Sequence, residues 1–599
     1  MRIYSYKNIL LSTIALSGII LSSCKPAQNT ITKTYSQFSE LDDPSKSSVE
    51  PWTSTPEGLN ISYVSIDKKY YKSEEPKIGE YQTTHRVTGW KGEKVSSQIL
   101  LWSTQSVEEV EISISSFQSP HHNLPASIAE LRFVRYVMTD EFGEGCGYRQ
   151  PEDFAASLAP DMLDNVTTMD IESNTVRPIW ITVNIPHGTP AGLYSSSITI
   201  HSKDAKDKTL AFELEVTNET LPAPNKWTYH LDLWQHPAAV ARVQDIELWS
   251  DAHFEALKPV MKMLADAGQK VITTTLNKDP WNNQCYDAYA DMITWTKNED
   301  DSWTYDYTIF DKWVSLMMEL GINKMINCYS VVPWNNELHY QDAALGERVT
   351  IQANPGSDLF NKVWHHFFTD FKAHLAEKGW LKITNIAMDE RTPEEMEATI
   401  EMLQKEAPEL GISYADNQKS YKKYPFIKEI SLAAGAKFEQ EDIQKRKEEG
   451  LITTYYVCCS DAFPNTFTFS EPAEAVYAGW YALASGLDGF LRWAYNSWVE
   501  NPLTDSRFRT WPAGDTYIVY PDARSSIRFE RLIEGIQDVE KIKILQTKLK
   551  SNPSKKNNAL LEELQQTLAA FTIHPEQDYV ELLNKGKALL NRITKELDK

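Results

Sequence analysis

The chain has 599 residues, 42% of them hydrophobic and only 24 glycine, enough for two or three cores because one core rarely grows past about 250–300 residues. Sixty Lys and Arg stand against 83 Asp and Glu, a net charge of −23, which makes nucleic acid a poor partner. A multidomain globular protein is therefore expected.

Residues 1–23 read as an export signal. Arg2 and Lys7 precede an apolar run from Ile9 to Leu21, and "LSSC" ends it at Cys24. This resembles the bacterial lipoprotein signal, which implies that Cys24 is lipidated and anchors the mature chain to a membrane of the cell envelope, facing the periplasm or the outside. A spanning helix fits less well, since the run falls short of the roughly 20 apolar residues a span needs. Loss of Arg2 and Lys7 takes the net charge to −25. Residues 24–58 are rich in Ser, Thr and Pro and read as a polar tether.

From Leu59 to about Pro222, seven short β-branched and aromatic segments, among them "SSQILLWS" and "RPIWITVNIP", follow one another without a long helix, which predicts a β-sandwich. From about 223 to 525, strand patterns such as "KVITTTL", "KITNIAMDE" and "LITTYYVCC" alternate with amphipathic helices, which predicts a (β/α)8 barrel of the TIM type. Residues 526–599 read as a C-terminal helical extension. The cysteines beyond the signal (Cys146, Cys285, Cys328, Cys458, Cys459) have no CxxC spacing and read as buried thiols, neither a disulfide framework nor a zinc site.

"NIAMDERTPEE" (Asn385 to Glu395) carries the sharpest chemical signal. Thr392, Pro393 and Glu395 fit a helix start with a capping box. Asp389 and Glu390 lie before it, at the strand end where a barrel presents reactive groups. Once one of two neighbouring carboxylates is ionised, the other ionises less readily, which yields one acid and one anion near neutral pH. In an ordinary retaining glycosidase the nucleophile and acid flank the sugar about 5 Å apart, which adjacent residues fit poorly. Substrate assistance, in which a 2-acetamido oxygen attacks the anomeric carbon, fits them better.

Sugar sites also need aromatic platforms ringed by hydrogen-bonding groups. Candidates are Tyr455 and its neighbour Tyr456, Trp493, Tyr495, Asn496, Trp498, Trp511 and Asp515, with His236 of "WQHP" at another strand end. Core packing is an equally good reading of any single aromatic. Strand alternation would send Trp493 and Tyr495 to one face. No metal or cofactor motif is present.

Taken in order, "AMDER", "PNTF", "GLDGFLRWAYNSW" and "YPD" resemble glycoside hydrolase family 123, the β-N-acetylgalactosaminidases, and "WITVNIPHGTPAGLYSSSITI" resembles that family's N-terminal sandwich. The resemblance implies exo-acting, retaining release of terminal β-linked GalNAc through an oxazolinium-type intermediate. It implies that Asp389 orients the acetamido group and that Glu390 is the general acid and base. Two alternatives stand beside it: a hydrolase of β-GlcNAc or another acetamido sugar, and a glycan-binding lipoprotein without turnover.

Overall fold

The computed structural model describes residues 38–45, 52–140, 146–147, 150–203, 205–436 and 439–598. The signal segment and Cys24 lie outside them. Among the described residues no helix is long and apolar enough to cross a membrane.

The N-terminal region is a sandwich of two mainly antiparallel sheets. One has five strands in the spatial order Asn60–Val64, Lys94–Ser103, Thr175–Asn184, Ala129–Asp140, Ala156–Leu163. The other is built on Thr84–Lys91, Ala205–Thr220, Gly192–Ser202, Val107–Ile114 and Thr168–Ile171. Ile99, Ile179, Ile181, Ile198, Phe212 and Leu214 interleave between the sheets, as the alternation of each strand dictates. Strands Thr84–Lys91, Ala156–Leu163 and Thr168–Ile171 are additional to the seven expected; charges on the first, a proline inside the second and the four-residue length of the third weaken their period.

The expected tether does not run free to residue 58. Glu40 is buried against the sandwich, where Arg177 and Lys72 pair with it, and Trp52 donates its indole N–H to the Ser73 carbonyl at 3.1 Å. A single charged anchor leaves no periodic trace in a Ser- and Pro-rich stretch.

Eight parallel strands then form a barrel in chain order: His230–Leu233, Val271–Thr275, Met325–Tyr329, Thr384–Asp389, Gly411–Asp416, Glu429–Ala433, Ile452–Tyr456 and Gly489–Arg492. The backbone ladder runs unbroken from the second strand round to the first through the eighth. Side chains complete the seam between the first and second strands. Gln269 accepts from the Leu233 N–H and Gln235 from the Thr273 N–H, both at 2.9 Å. Inside, Glu429 gathers His230, Asn327 and Ser413 into a buried hydrogen-bonded layer. The sixth strand, "EISLA", is too short and too weakly patterned to stand out in the sequence. A four-stranded side sheet (Thr294–Lys297, Trp303–Asp306, Glu337–Asp342, Glu347–Gln352) grows from the loops after the second and third strands.

Helix Ile527–Ser551 follows the eighth strand and packs along helix Pro472–Ala484. Gly479 and Gly535 bring the two backbones so close that a Cβ on either would lie 2.7 Å from a carbonyl oxygen of the other helix. The helix is thus the last barrel helix and not the start of an extension, which begins after Ser551 with Lys555–Ala569 and Tyr579–Leu597. Being buried nearly all round, it lacks the one-sided pattern that would tie it to the barrel.

This helix also joins the two regions. Arg528, 2% exposed, donates to the Asp161 carboxylate of the sandwich and to the carbonyls of Thr466, Gly514 and Tyr517. Glu93 of the sandwich receives Lys541 at 2.7 Å. Removing one member of a buried ion pair strands the other without water. Asp161→Ala is therefore expected to destabilise the protein by about 3–5 kcal/mol in denaturant titrations, and Asp161→Ala/Arg528→Met to recover much of that loss.

Candidate active site

The fourth strand ends at Asp389, and the next residue, Glu390, has φ 42°, a left-handed backbone uncommon outside glycine. The Glu390 N–H still reaches the Ala415 carbonyl of the fifth strand at 3.0 Å. The helix Pro393–Glu406 then begins with the expected capping box between Thr392 and Glu395. Arg391, between pair and cap, is buried and holds Glu395 at 2.6 Å, while the Tyr414 hydroxyl donates to the Arg391 carbonyl. The residue that follows the acid pair is thereby fixed from behind.

Asp389 and Glu390 open into one cavity of about 320 Å³ at the C-terminal end of the barrel. Its walls are largely aromatic: Trp234, Trp334, Tyr456, Trp493 and Trp511, with Asp515 at one side. The Trp281 indole donates to Asp389 Oδ2 at 3.1 Å, and Trp334 also donates to this carboxylate. Burial and the charge of Glu390 nevertheless push the Asp389 pKa up to about 7 against those donors and Arg391. Glu390 Oε1 receives the Tyr456 hydroxyl, whose own pKa burial and the Glu390 charge raise, so that it stays a donor. Each acid is thus oriented by a different aromatic donor.

Trp234, Trp281 and Tyr329 pack beneath the pair with ring centroids 4.7–5.0 Å apart, a rigid apolar floor. Trp493 and Trp511 meet edge to face at 5.7 Å, and the Trp511 indole is tied to the Gln284 carbonyl. Asp515 pairs with the buried Arg492 at 3.2 Å. Burial raises its pKa to about 6, with Arg492 and a hydrogen bond from Trp493 opposing.

Of the residues singled out in the sequence, Asp389, Glu390, Tyr456, Trp493, Trp511 and Asp515 come together here. The others do not line the cavity. Tyr455 lies on the opposite face of the seventh strand, where its hydroxyl donates to the Ala478 carbonyl under a helix; its neighbour Tyr456 takes the pocket position. The eighth strand stops at Arg492, one residue before Trp493, so period-two alternation does not carry on, and Tyr495 turns outward to the Val260 carbonyl. Trp498 is buried with its indole on the Val519 carbonyl. Asn496 exchanges hydrogen bonds with the His236 backbone. His236 stacks on Tyr289 at 3.7 Å, with Nδ1 3.0 Å from Ser497 Oγ, and burial lowers its pKa to about 3. Tyr289 in turn packs on Trp281 at 4.4 Å, so His236 and Asn496 back the floor from behind.

Trp234, Trp281 and Trp334 were not picked from the sequence. Trp234 sits two residues from His236 at the same strand end, a signal that was present. Trp281 and Trp334 come from loops with no period to read.

The cysteines depart from the expectation of buried thiols. Cys285 and Cys328 are free and buried, but Cys146 and Cys459 form a disulfide across 313 residues of sequence, and Cys458 is a half-buried free thiol beside it. Spacing cannot reveal a pair brought together from two domains.

The family described as glycoside hydrolase 123, catalytic domain, matches residues 234–545, and the glycoside hydrolase 123 N-terminal domain matches residues 63–202. A solved family 123 glycoside hydrolase from Clostridium perfringens, described in terms of glycolipid glycan hydrolysis, is 28% identical. The alignment covers 90% of this chain and 99% of that one, with a TM-score of 0.80. A Bacteroides ovatus GH5 xyloglucanase (10% identity, 80% of this chain and 100% of that one) and a Bacteroides vulgatus glycoside hydrolase called putative (9%, 78% and 79%) reach TM-scores of only 0.28 and 0.29. No curated protein matches. With the acid pair at the fourth strand end of an eight-stranded barrel and both domains matched, the chain belongs to glycoside hydrolase family 123.

Proposed function

We propose that this enzyme releases terminal β-linked N-acetylgalactosamine by a retaining, substrate-assisted mechanism. The observation that carries this reading is that consecutive acids, Asp389 and Glu390, face one small aromatic cavity. Neighbours in the chain are poorly placed to bracket a sugar from opposite faces as nucleophile and acid. They are well placed to hold an acetamido group with one carboxylate and the glycosidic oxygen with the other.

Asp389 accepts the acetamido N–H, and the amide oxygen is thereby aimed at the anomeric carbon. As that oxygen bonds to the carbon and the glycosidic bond breaks, Glu390 gives its proton to the leaving oxygen. Asp389 stabilises the positive charge of the oxazolinium ring. Water then attacks the anomeric carbon, Glu390 takes a proton from it, and the ring opens to the acetamide with net retention. In the empty pocket the proton sits readily on Asp389, whose pKa is about 7. A docking N–H requires the Asp389 anion, which leaves the pair's proton to Glu390. Trp493 and Trp511 offer apolar faces for a pyranose ring, and Asp515 an acceptor for a sugar hydroxyl.

The Clostridium perfringens enzyme's description with glycolipid glycans makes a lipid-linked glycan a reasonable substrate class here as well. An anchor at Cys24 would hold this enzyme at a membrane.

A chromogenic β-GalNAc glycoside tests the reading directly: release is expected, and greater kcat/KM than for the β-GlcNAc analogue, whereas a reversed ratio would point to a glucosaminidase. Glycan binding without release by intact enzyme would favour a binding protein. Since the pair's single proton, which docking leaves on Glu390 for the leaving oxygen, is lost as Asp389 ionises, kcat/KM is expected to fall as pH rises through about 7, and Asp389→Asn to remove that limb together with most turnover. Glu390→Gln is expected to slow poor leaving groups by roughly 10²–10⁴, and activated aryl glycosides by less.

A further inference from the structure

The cavity contains chemistry that the acid pair does not use. Cys146 comes from the segment between sandwich strands Ala129–Asp140 and Ala156–Leu163, and Cys458 and Cys459 follow the seventh barrel strand. Their three sulfurs lie within 4.8 Å of one another, and Cys146 and Cys459 are bonded. Cys146 and Gly147 line the cavity together with Asp389 and Glu390, so a sandwich segment supplies part of the site's wall.

The barrel end of the bond sits in a hydrogen-bonded loop. On the barrel side, Asn465 donates to the carbonyls of Cys458 and Asp461, Asp461 accepts the Cys458 N–H at 2.8 Å, and Arg492 fixes Asn465. Cys459 itself is buried. Cys146 is exposed and is followed by Gly147 at φ 133°, a backbone that L side chains rarely adopt. Opening the bond therefore leaves the barrel face, with Tyr456 on Glu390 three residues from Cys459, in its hydrogen-bonded form, while Cys146 and Gly147 lose their covalent link to it.

We infer that the Cys146–Cys459 disulfide is a positioning device that sets the sandwich-derived wall of the glycan pocket, so that the enzyme's affinity for its substrate, rather than its chemical step, depends on the bond being closed. This rests on the glycosidase reading above. A phosphine opens the bond, leaving two thiols and the phosphine oxide whose oxygen comes from water. Oxidised glutathione closes it again by exchange, with release of two reduced glutathiones.

The test compares full-length oxidised enzyme, the same enzyme reduced in place with a phosphine, Cys146→Ser, and Cys146→Ser/Cys459→Ser, using an aryl β-GalNAc glycoside. Opening is expected to raise KM roughly tenfold with kcat changed less than about twofold, and oxidised glutathione to restore the reduced wild type but neither variant. Alkylation of Cys458 by iodoacetamide, followed by peptide mass mapping, is expected to be faster in Cys146→Ser/Cys459→Ser than in oxidised enzyme; it reads the wall without reference to substrate. An unchanged KM and alkylation rate, with or without a lower Tm, would make the bond a stability staple and overturn the inference. Should every form lack activity, the glycosidase reading fails and the alkylation rates alone decide the wall's dependence on the bond. Should the variants not fold, the reduced wild type supplies the same comparison.

Discussion

Successive residues of a strand point to opposite faces, so two adjacent acids can share a cavity only if the strand stops between them. Here it does. Asp389 keeps its place in the fourth strand, and Glu390 leaves it through a left-handed backbone that still keeps a hydrogen bond to the fifth strand. The capping box that starts the following helix, the buried Arg391 and the Tyr414 hydroxyl hold that turn from behind. The aromatic floor and the separate donors to each carboxylate have meaning only once both side chains have been brought to one space.

The same turn explains why the two acids differ although they are neighbours. Asp389 lies over the Trp234, Trp281 and Tyr329 floor, where an ion is poorly solvated and indole N–H groups and the Arg391 charge answer it only in part. Glu390 meets a phenol from the seventh strand. An acid kept part-protonated by its surroundings beside one aimed by a hydroxyl makes a pair whose proton can be redistributed by a single incoming N–H.

Much of this was legible in the sequence, and the boundary follows from physics. The sandwich, the barrel, the capping box and the exit position of Asp389 and Glu390 all rest on local period and turn chemistry, which the chain writes plainly. Tyr455 and Tyr456 could not be told apart, because a one-residue error in strand parity exchanges the pocket face for the packed face. Extending strand alternation past Arg492 misplaced Tyr495 for a related reason: the strand ends where the loop begins, and no residue marks it. Trp281, Trp334 and the Cys146–Cys459 bond depend on which loops meet in space, which only the closed barrel decides. The helix Ile527–Ser551 was recognised as a helix but not as the barrel's eighth, since its burial on all sides hides its allegiance.

That helix has a consequence for how the protein is made. It is the last piece of the barrel to leave the ribosome, and it must settle against a sandwich whose residues emerged hundreds of positions earlier. Until then Asp161 and Glu93 wait without Arg528 and Lys541, and the first barrel strand has lacked its eighth-strand neighbour for most of synthesis. Chain order thus leaves to the last barrel helix the fastening that turns sandwich and barrel into one enzyme.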